Sequence, residues 1–287
     1  MRWAPGGRSQ NLEDRRGGGG GGGLMGGGGG GMKVGLGGML LLLVLSLVFK
    51  RDLVSPLMNA GGGLPGSSAD ASAPLNDPAE EKMVEFVSFV LDTTQATWQQ
   101  KLPDYQPARL VLFRDVVQSA CGRAESATGP FNCAGEQKVY IDLSFFDQLD
   151  RQFGAPGDFA QAYVLAHELG HHVQNLLGTE AELRSAQQRM PNLANRLSVA
   201  MELQADCYAG VWGHEASRAG ILQAGDLEEG LGAASAVGDD RLQKMATGRV
   251  SPESFTHGSS ADRMRWFRRG FDSGDLNQCD TFAAMSR

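Results

Sequence analysis

Positive charge is scarce in this sequence. Its 287 residues carry 26 Lys and Arg against 33 Asp and Glu, a formal net charge of −7. The clustered basic surface that neutralises phosphates is therefore missing, and a nucleic-acid partner is excluded. Cysteine is also sparse: Cys121, Cys133, Cys207 and Cys279 are the full set, and none forms a CxxC pair. That spacing excludes a structural zinc site built on thiolates. No internal repeat occurs, so the chain is not a solenoid or propeller. What the sequence does have is 41% hydrophobic residues, enough for a core, and 40 glycines concentrated near its start.

Residues 1–31 carry a few arginines and then almost only glycine, which predicts a disordered, Gly-rich tail with nothing to bury. Residues 32–49 contain MLLLLVLSLVF and a single charge, Lys33. As a helix this stretch is about 27 Å long, which predicts one transmembrane helix. A cleaved signal peptide fits less well, because Met58 stands two positions before Ala60 at the nearest small-residue site. Arg2, Arg8, Arg15, Arg16 and Lys33 precede the apolar run, against Lys50 and Arg51 after it. The excess predicts a cytoplasmic tail, with everything after the span translocated. Residues 50–77, rich in Gly, Pro, Ser and Ala, read as a flexible linker. Residues 78–287 are left as one folded domain. Four cysteines beyond a membrane predict two disulfides, with three connectivities open. Cys121 with Cys133 is the local choice, across the Gly129-Pro130 turn, leaving Cys207 with Cys279; unpaired buried thiols are the alternative.

Within the domain, Asp77 and Pro78 provide a helix start before Met83, Phe86, Val87, Val90 and Leu91 at helical spacing. RLVLF from Arg109 and KVYIDL from Lys138 predict two strands of a small sheet. The second would suit an edge strand onto which an extended peptide could add, or an interior strand. A long helix is predicted from Asp158 to its stop at Gly178. Others are predicted from Leu193 to Ser217, from Asp226 to Met245 with a break at Gly238, and from Ser259 to Phe271. Trp212, Trp266 and Phe267 read as core aromatics.

The long helix contains His167-Glu168-Leu169-Gly170-His171. One helical turn separates the histidines, so both imidazoles leave one face and can meet a single Zn²⁺ with Glu168 beside it. Zinc acidifies a bound water, and an adjacent carboxylate can take its proton. Gly170 weakens the helix where a strand or substrate could approach. A catalytic site needs a third protein ligand. Glu202, in Glu202-Leu203-Gln204-Ala205-Asp206, fills that position, and Asp206, one turn on, can accept the outer N–H of a ligand histidine. His172 points about 100° away from His171 and reads as a surface or outer residue. His214 reads as a helix C-terminal histidine. His257 precedes an Arg-rich helix and can stabilise the oxyanion, with Arg263 as a helper, or can merely sit in a capping loop.

These residues lie in AYVLAHELGHHVQNLLG, NRLSVAMELQADCYAGVWGH, DLEEGLGAASAVGDDRLQ and SFTHGSSADRMRWFRRGFDSGD. All four stretches, with the opening MRWAPGGRSQNLEDRR, resemble the neutral zinc metallopeptidase family of bacterial membrane-anchored proteins, within the broader gluzincin group. The resemblance covers nearly the whole chain. It implies an α+β fold, a mainly helical zincin-like metallopeptidase domain with a small β-sheet, preceded by one transmembrane helix. It further implies a Zn²⁺ cofactor held by His167, His171 and Glu202, with Glu168 as base and peptides or proteins as substrates. The expected location is the bacterial cytoplasmic membrane, single-pass, with the domain periplasmic or otherwise extracytoplasmic. The rival reading is a zinc-stabilised scaffold that hydrolyses nothing. Glu168 argues against it, since a purely structural site has no need of a base.

Overall fold

The structure, a computed structural model, describes residues 1–17 and 77–285. Helix α1, Pro78–Lys101, starts where Asp77 accepts a hydrogen bond from the Ala79 amide, and it buries Val84, Val87, Val90 and Leu91. A four-stranded sheet follows, built from β1 (Leu12–Asp14), β2 (Arg109–Phe113), β5 (Phe131–Cys133) and β6 (Lys138–Asp142). Its order is β1-β2-β6-β5, parallel except for β5. The two central strands are covered on both faces, which accounts for their unbroken apolar runs. Leu110, Leu112, Val139 and Ile141 face the helices. Val111, Phe113 and Tyr140 pack instead against the hairpin formed by β3 (Val116–Ser119) and β4 (Gly122–Glu125). The segment from Val139 is thus an interior strand, and among the described residues the edges of the sheet are β1 and β5.

After α2 (Ser144–Arg151) comes α3 (Asp158–Leu176), ended by Gly178 at φ +79°. Helix α4 (Thr179–Arg189) was not anticipated: most of its residues are polar and none is buried. Helix α5 (Ala194–Arg218) crosses α3. The predicted helix from Asp226 to Met245 is two helices, α6 (Asp226–Ala236) and α7 (Asp239–Thr247), separated at Gly238. A Cβ at Gly238 would lie 2.4 Å from the Ser260 amide nitrogen, so the break lets the chain abut the start of α8 (Ser260–Ser273). A short α9 (Thr281–Met285) closes the described chain. Trp212, Trp266 and Phe267 are buried as expected. Both disulfides form in the anticipated pairing: Cys121–Cys133 ties the hairpin to β5, and Cys207–Cys279 ties α5 to the turn after α8.

Two expectations are corrected. Residues 1–17 are folded onto the domain, where β1 extends the sheet and Trp3 rests against Phe86 at 5.3 Å. The Arg16 side chain is fully buried among Asp14, Glu80 and Glu81. Reading the first 31 residues as one polar tail missed this, because Arg8 and Arg16 reach Glu81, 73 and 65 positions away. The rest of that tail, the apolar run at 32–49 and most of the linker lie outside the described residues. The fold class is therefore corrected as well: the fold is mainly helical with small sheets, and among the described residues no helix is long and apolar enough to cross a membrane.

Helices α5 and α8 meet backbone to backbone: a Cβ on Gly270 would lie 1.9 Å from the Cys207 carbonyl oxygen, and one on Gly210 2.1 Å from that of Phe267. Gly270→Ala should therefore destabilise the protein by about 3 kcal/mol, lowering the melting temperature by about 6–12 °C in a thermal scan. Hydrogen bonds from Arg16 hold the Asp14 carboxyl down to about 2, against the opposing effect of burial. A depressed carboxyl stabilises above its unfolded value of about 4 and loses that contribution as the pH falls toward 2. Amide exchange in residues 9–16 should accordingly accelerate over this window before that of α3 does.

Candidate metal centre

His167 and His171 leave the same face of α3 with their ring centroids 4.8 Å apart. Glu202 comes from α5, and the two helices approach closely because Gly170 carries no side chain. A Cβ there would lie 3.1 Å from the Ala205 carbonyl oxygen and 3.4 Å from the Tyr208 Cβ. This corrects the expected role of Gly170: it faces α5, not an incoming substrate. Glu202 Oε2 stands 3.3 Å from His167 Nε2, and Oε1 stands 3.5 Å from His171 Nε2. A tetrahedral ion bound at 2.0–2.1 Å spaces its ligand atoms about 3.3 Å apart. The three donors fit Zn²⁺, and the sequence-predicted trio is brought together.

Each ring is oriented through its other nitrogen. His167 Nδ1 lies 2.8 Å from Asp206 Oδ1, and His171 Nδ1 lies 2.8 Å from Gln174 Oε1. Gln174 is anchored in turn by donating to the Met201 carbonyl at 2.7 Å. With both Nδ1 atoms donating, both Nε2 lone pairs are free for an ion. Asp206 is fully buried. Its carboxylate also accepts from the Tyr163 hydroxyl and, at 2.8 and 2.9 Å, from Nε and Nη2 of Arg263. Burial pulls the His167 pKa down, but Asp206 and Glu202 outweigh it and hold it up to about 9. Burial pushes Glu202 up, but the two histidines keep its carboxyl well below the usual range. The site favours positive charge, which a divalent ion supplies in place of a proton.

The trio lies on the wall of a cleft of about 460 Å³. Phe145, Phe153, Val164, Val237 and Leu242 make much of its lining apolar, and Glu168 and His257 face it as well. Among the described residues no group hydrogen-bonds the Glu168 carboxylate. His257 is fixed by Asp239, whose Oδ1 lies 3.2 Å from Nδ1. The other oxygen of Asp239 accepts the backbone amides of Thr256, His257 and Gly258 at 2.7, 2.7 and 3.0 Å. Burial lowers the His257 pKa, but Asp239 and Glu202 raise it above the ordinary imidazole value. Arg263 also lines the cleft, yet its guanidinium is engaged by Asp206 behind the His167 ring.

The remaining histidines stay away from the ion position. His172 is fully buried, correcting the surface expectation, and its Nε2 lies 2.6 Å from the Gln106 carbonyl ahead of β2. His214 donates from Nδ1 to the Phe271 carbonyl at 2.8 Å, joining α5 to α8. Sequence reading missed Tyr163, Gln174 and Asp239. The first two stand one turn before His167 and after His171, a spacing that could have found them. Asp239 lies 18 positions from His257, and no local pattern connects them. Asp206→Ala would leave Arg263 buried without its partner and should cost about 3–5 kcal/mol. It should also weaken zinc binding about 10–100-fold, measured by chelator competition.

Comparison with known proteins agrees with this geometry. Residues 1–282 match the model of the family described as "Putative neutral zinc metallopeptidase". An uncharacterized protein of Escherichia coli (strain K12), YpfJ, is 49% identical over 289 residues, covering 98% of this chain and 99% of its own. An uncharacterized protein of Mycobacterium tuberculosis (strain H37Rv) is 46% identical over 204 residues, covering 67% of this chain and 68% of its own. No solved structure matches the chain significantly. The chain belongs to the neutral zinc metallopeptidase family, and its cofactor is Zn²⁺.

Proposed function

We propose that the protein is a zinc-dependent endopeptidase in which His167, His171 and Glu202 hold the ion and Glu168 is the general base. The observation that carries this reading is the three-donor cluster on an open cleft wall beside a carboxylate with no protein partner among the described residues. A closed structural site would place a fourth protein ligand there. Bound Zn²⁺ supplies Lewis acidity and acidifies a water. Glu168 takes the proton of the attacking water and returns it to the leaving amine. His257, oriented by Asp239, donates a hydrogen bond from Nε2 to the oxygen on which charge develops. Asp206, fixed by Arg263 and Tyr163, keeps the His167 ring in register.

The substrate is a peptide or protein bound in extended form. Phe131 and Asn132 of β5 line the cleft, and the outer edge of β5 pairs with no strand among the described residues. Backbone groups on that edge can pair with an added strand. Two disulfides support a location in an oxidising compartment outside the cytoplasm.

Metal analysis with peptide-library cleavage tests this reading. Glu168→Gln should keep one zinc per chain while turnover falls about 10²–10⁴-fold. His257→Ala should lower kcat about 10²–10³-fold with KM nearly unchanged. A chain that holds zinc yet cleaves no peptide in the library would favour the scaffold reading instead.

A further inference from the structure

We propose that the turn after α8 sets which nitrogen His171 offers to the ion, acting through two buried glutamines, and that Gln204 is a positioning residue of the metal centre. The proposal rests on His171 being a metal ligand. Gln204 stands two residues after Glu202, about 200° round α5 from it, and so faces away from the ion position. It is nevertheless buried, as is Gln174. Gln204 Nε2 donates to the Cys279 carbonyl at 3.1 Å, and its Oε1 accepts from Gln174 Nε2 at 3.0 Å. Gln174 Nε2 gives its second proton to the Met201 carbonyl at 2.7 Å, which leaves Oε1 for His171 Nδ1 at 2.8 Å.

The polarity of this relay is fixed at its far end. A side-chain amide can present either oxygen or nitrogen to a neighbour, whereas a main-chain carbonyl can only accept. Reversing the Gln204 amide would set its oxygen against the Cys279 oxygen, and reversing Gln174 would set oxygen against that of Met201. Gln204 must therefore turn Oε1 to Gln174, and Gln174 must turn Oε1 to His171. The ring then carries its proton on Nδ1, and Nε2 keeps a lone pair for the ion. His167 needs no such chain, because its partner Asp206 is a carboxylate and accepts from either oxygen. The carbonyl that starts the relay is held on both sides. The Cys207–Cys279 disulfide joins it to α5 beyond Gln204, and the Thr281 hydroxyl donates at 2.6 Å to the carbonyl of Ala200, one turn before Gln204. Cys207, Cys279 and Thr281 are all buried. A turn that does not line the cleft thus decides the state of a metal ligand.

The test uses the full chain with ¹⁵N-labelled histidine, loaded with zinc. Zinc affinity is measured by chelator competition, and solvent exchange of the His167 and His171 Nδ1 protons by NMR. Gln204→Met keeps the reach of the side chain and removes its amide. It should weaken zinc binding about tenfold and speed exchange of the His171 proton by about tenfold or more, while the His167 proton, held by Asp206, keeps its rate. A general loss of packing would move both protons together. In a Gln174→Met background, adding Gln204→Met should change zinc affinity by less than about twofold, because its route to the ring is gone. Gln204→Asn, one methylene short of both partners, gives the same comparison if the Met chain does not fold. Unchanged affinity and exchange, equal acceleration of both protons, or an equal loss of affinity in the two backgrounds would overturn the proposal. An unaltered chain that binds no zinc would instead overturn the metal-centre reading, and the proposal with it. Neither readout depends on turnover, so a chain that binds zinc and cleaves nothing still decides the proposal.

Discussion

The Asp206 carboxylate has no contact with water and serves three donors at once: the Tyr163 hydroxyl, the His167 ring and the Arg263 guanidinium. Each donor comes from a helix that must already be in place, Tyr163 and His167 from α3 and Arg263 from α8. An ion pair taken out of water is tolerated only when its geometry satisfies nearly every lone pair and proton. The helices α3, α5 and α8 are consequently confined to one mutual arrangement, and Glu202, one turn before Asp206, is carried with them. The glycine contacts serve the same end: Gly170 lets α3 meet α5, and Gly210 and Gly270 let α5 meet α8 at backbone distance. The metal trio is thus a by-product of a helix packing that charge and missing side chains dictate together.

A second cluster at the cleft works by the same logic. Asp239 gathers three consecutive amides and a ring nitrogen, and so turns a loop into a fixed shelf for His257. Of the three histidines lining the cleft, His167 and His257 are therefore each steered by a buried aspartate and His171 by Gln174. Glu168, by contrast, is left without a partner among the described residues. A carboxylate that is to exchange protons during a reaction gains from having no competing donor.

Much of the site was legible because helices encode proximity in their period. The spacing of His167 and His171, and of Glu202 and Asp206, places each pair on one face whatever the rest of the chain does. The pairing of the two helices followed from chemistry, since a histidine pair wants a third ligand. What could not be read was whatever depends on two distant segments meeting. The role of Gly170 turned on which neighbour α3 would have, Asp239 and His257 are joined only through the fold, and β6 is interior only because β5 returns antiparallel to it. The opening residues were misread for a related reason. Arg8 and Arg16 look like part of a solvated tail until Glu80 and Glu81 of α1 are set beside them.

The docking of the first strand also sets an order of events in biosynthesis. β1 at Leu12–Asp14 pairs with β2 at Arg109–Phe113, on the far side of α1 in the sequence. At ribosomal rates of about 5–20 residues per second, β1 therefore waits several seconds for β2 to emerge. Until then β1 carries its backbone donors and acceptors unpaired, the kind of strand edge on which nascent chains adhere to one another. The β1–β2 pair can therefore form as soon as β2 is made, ahead of α3, α5 and α8, which follow it in the chain.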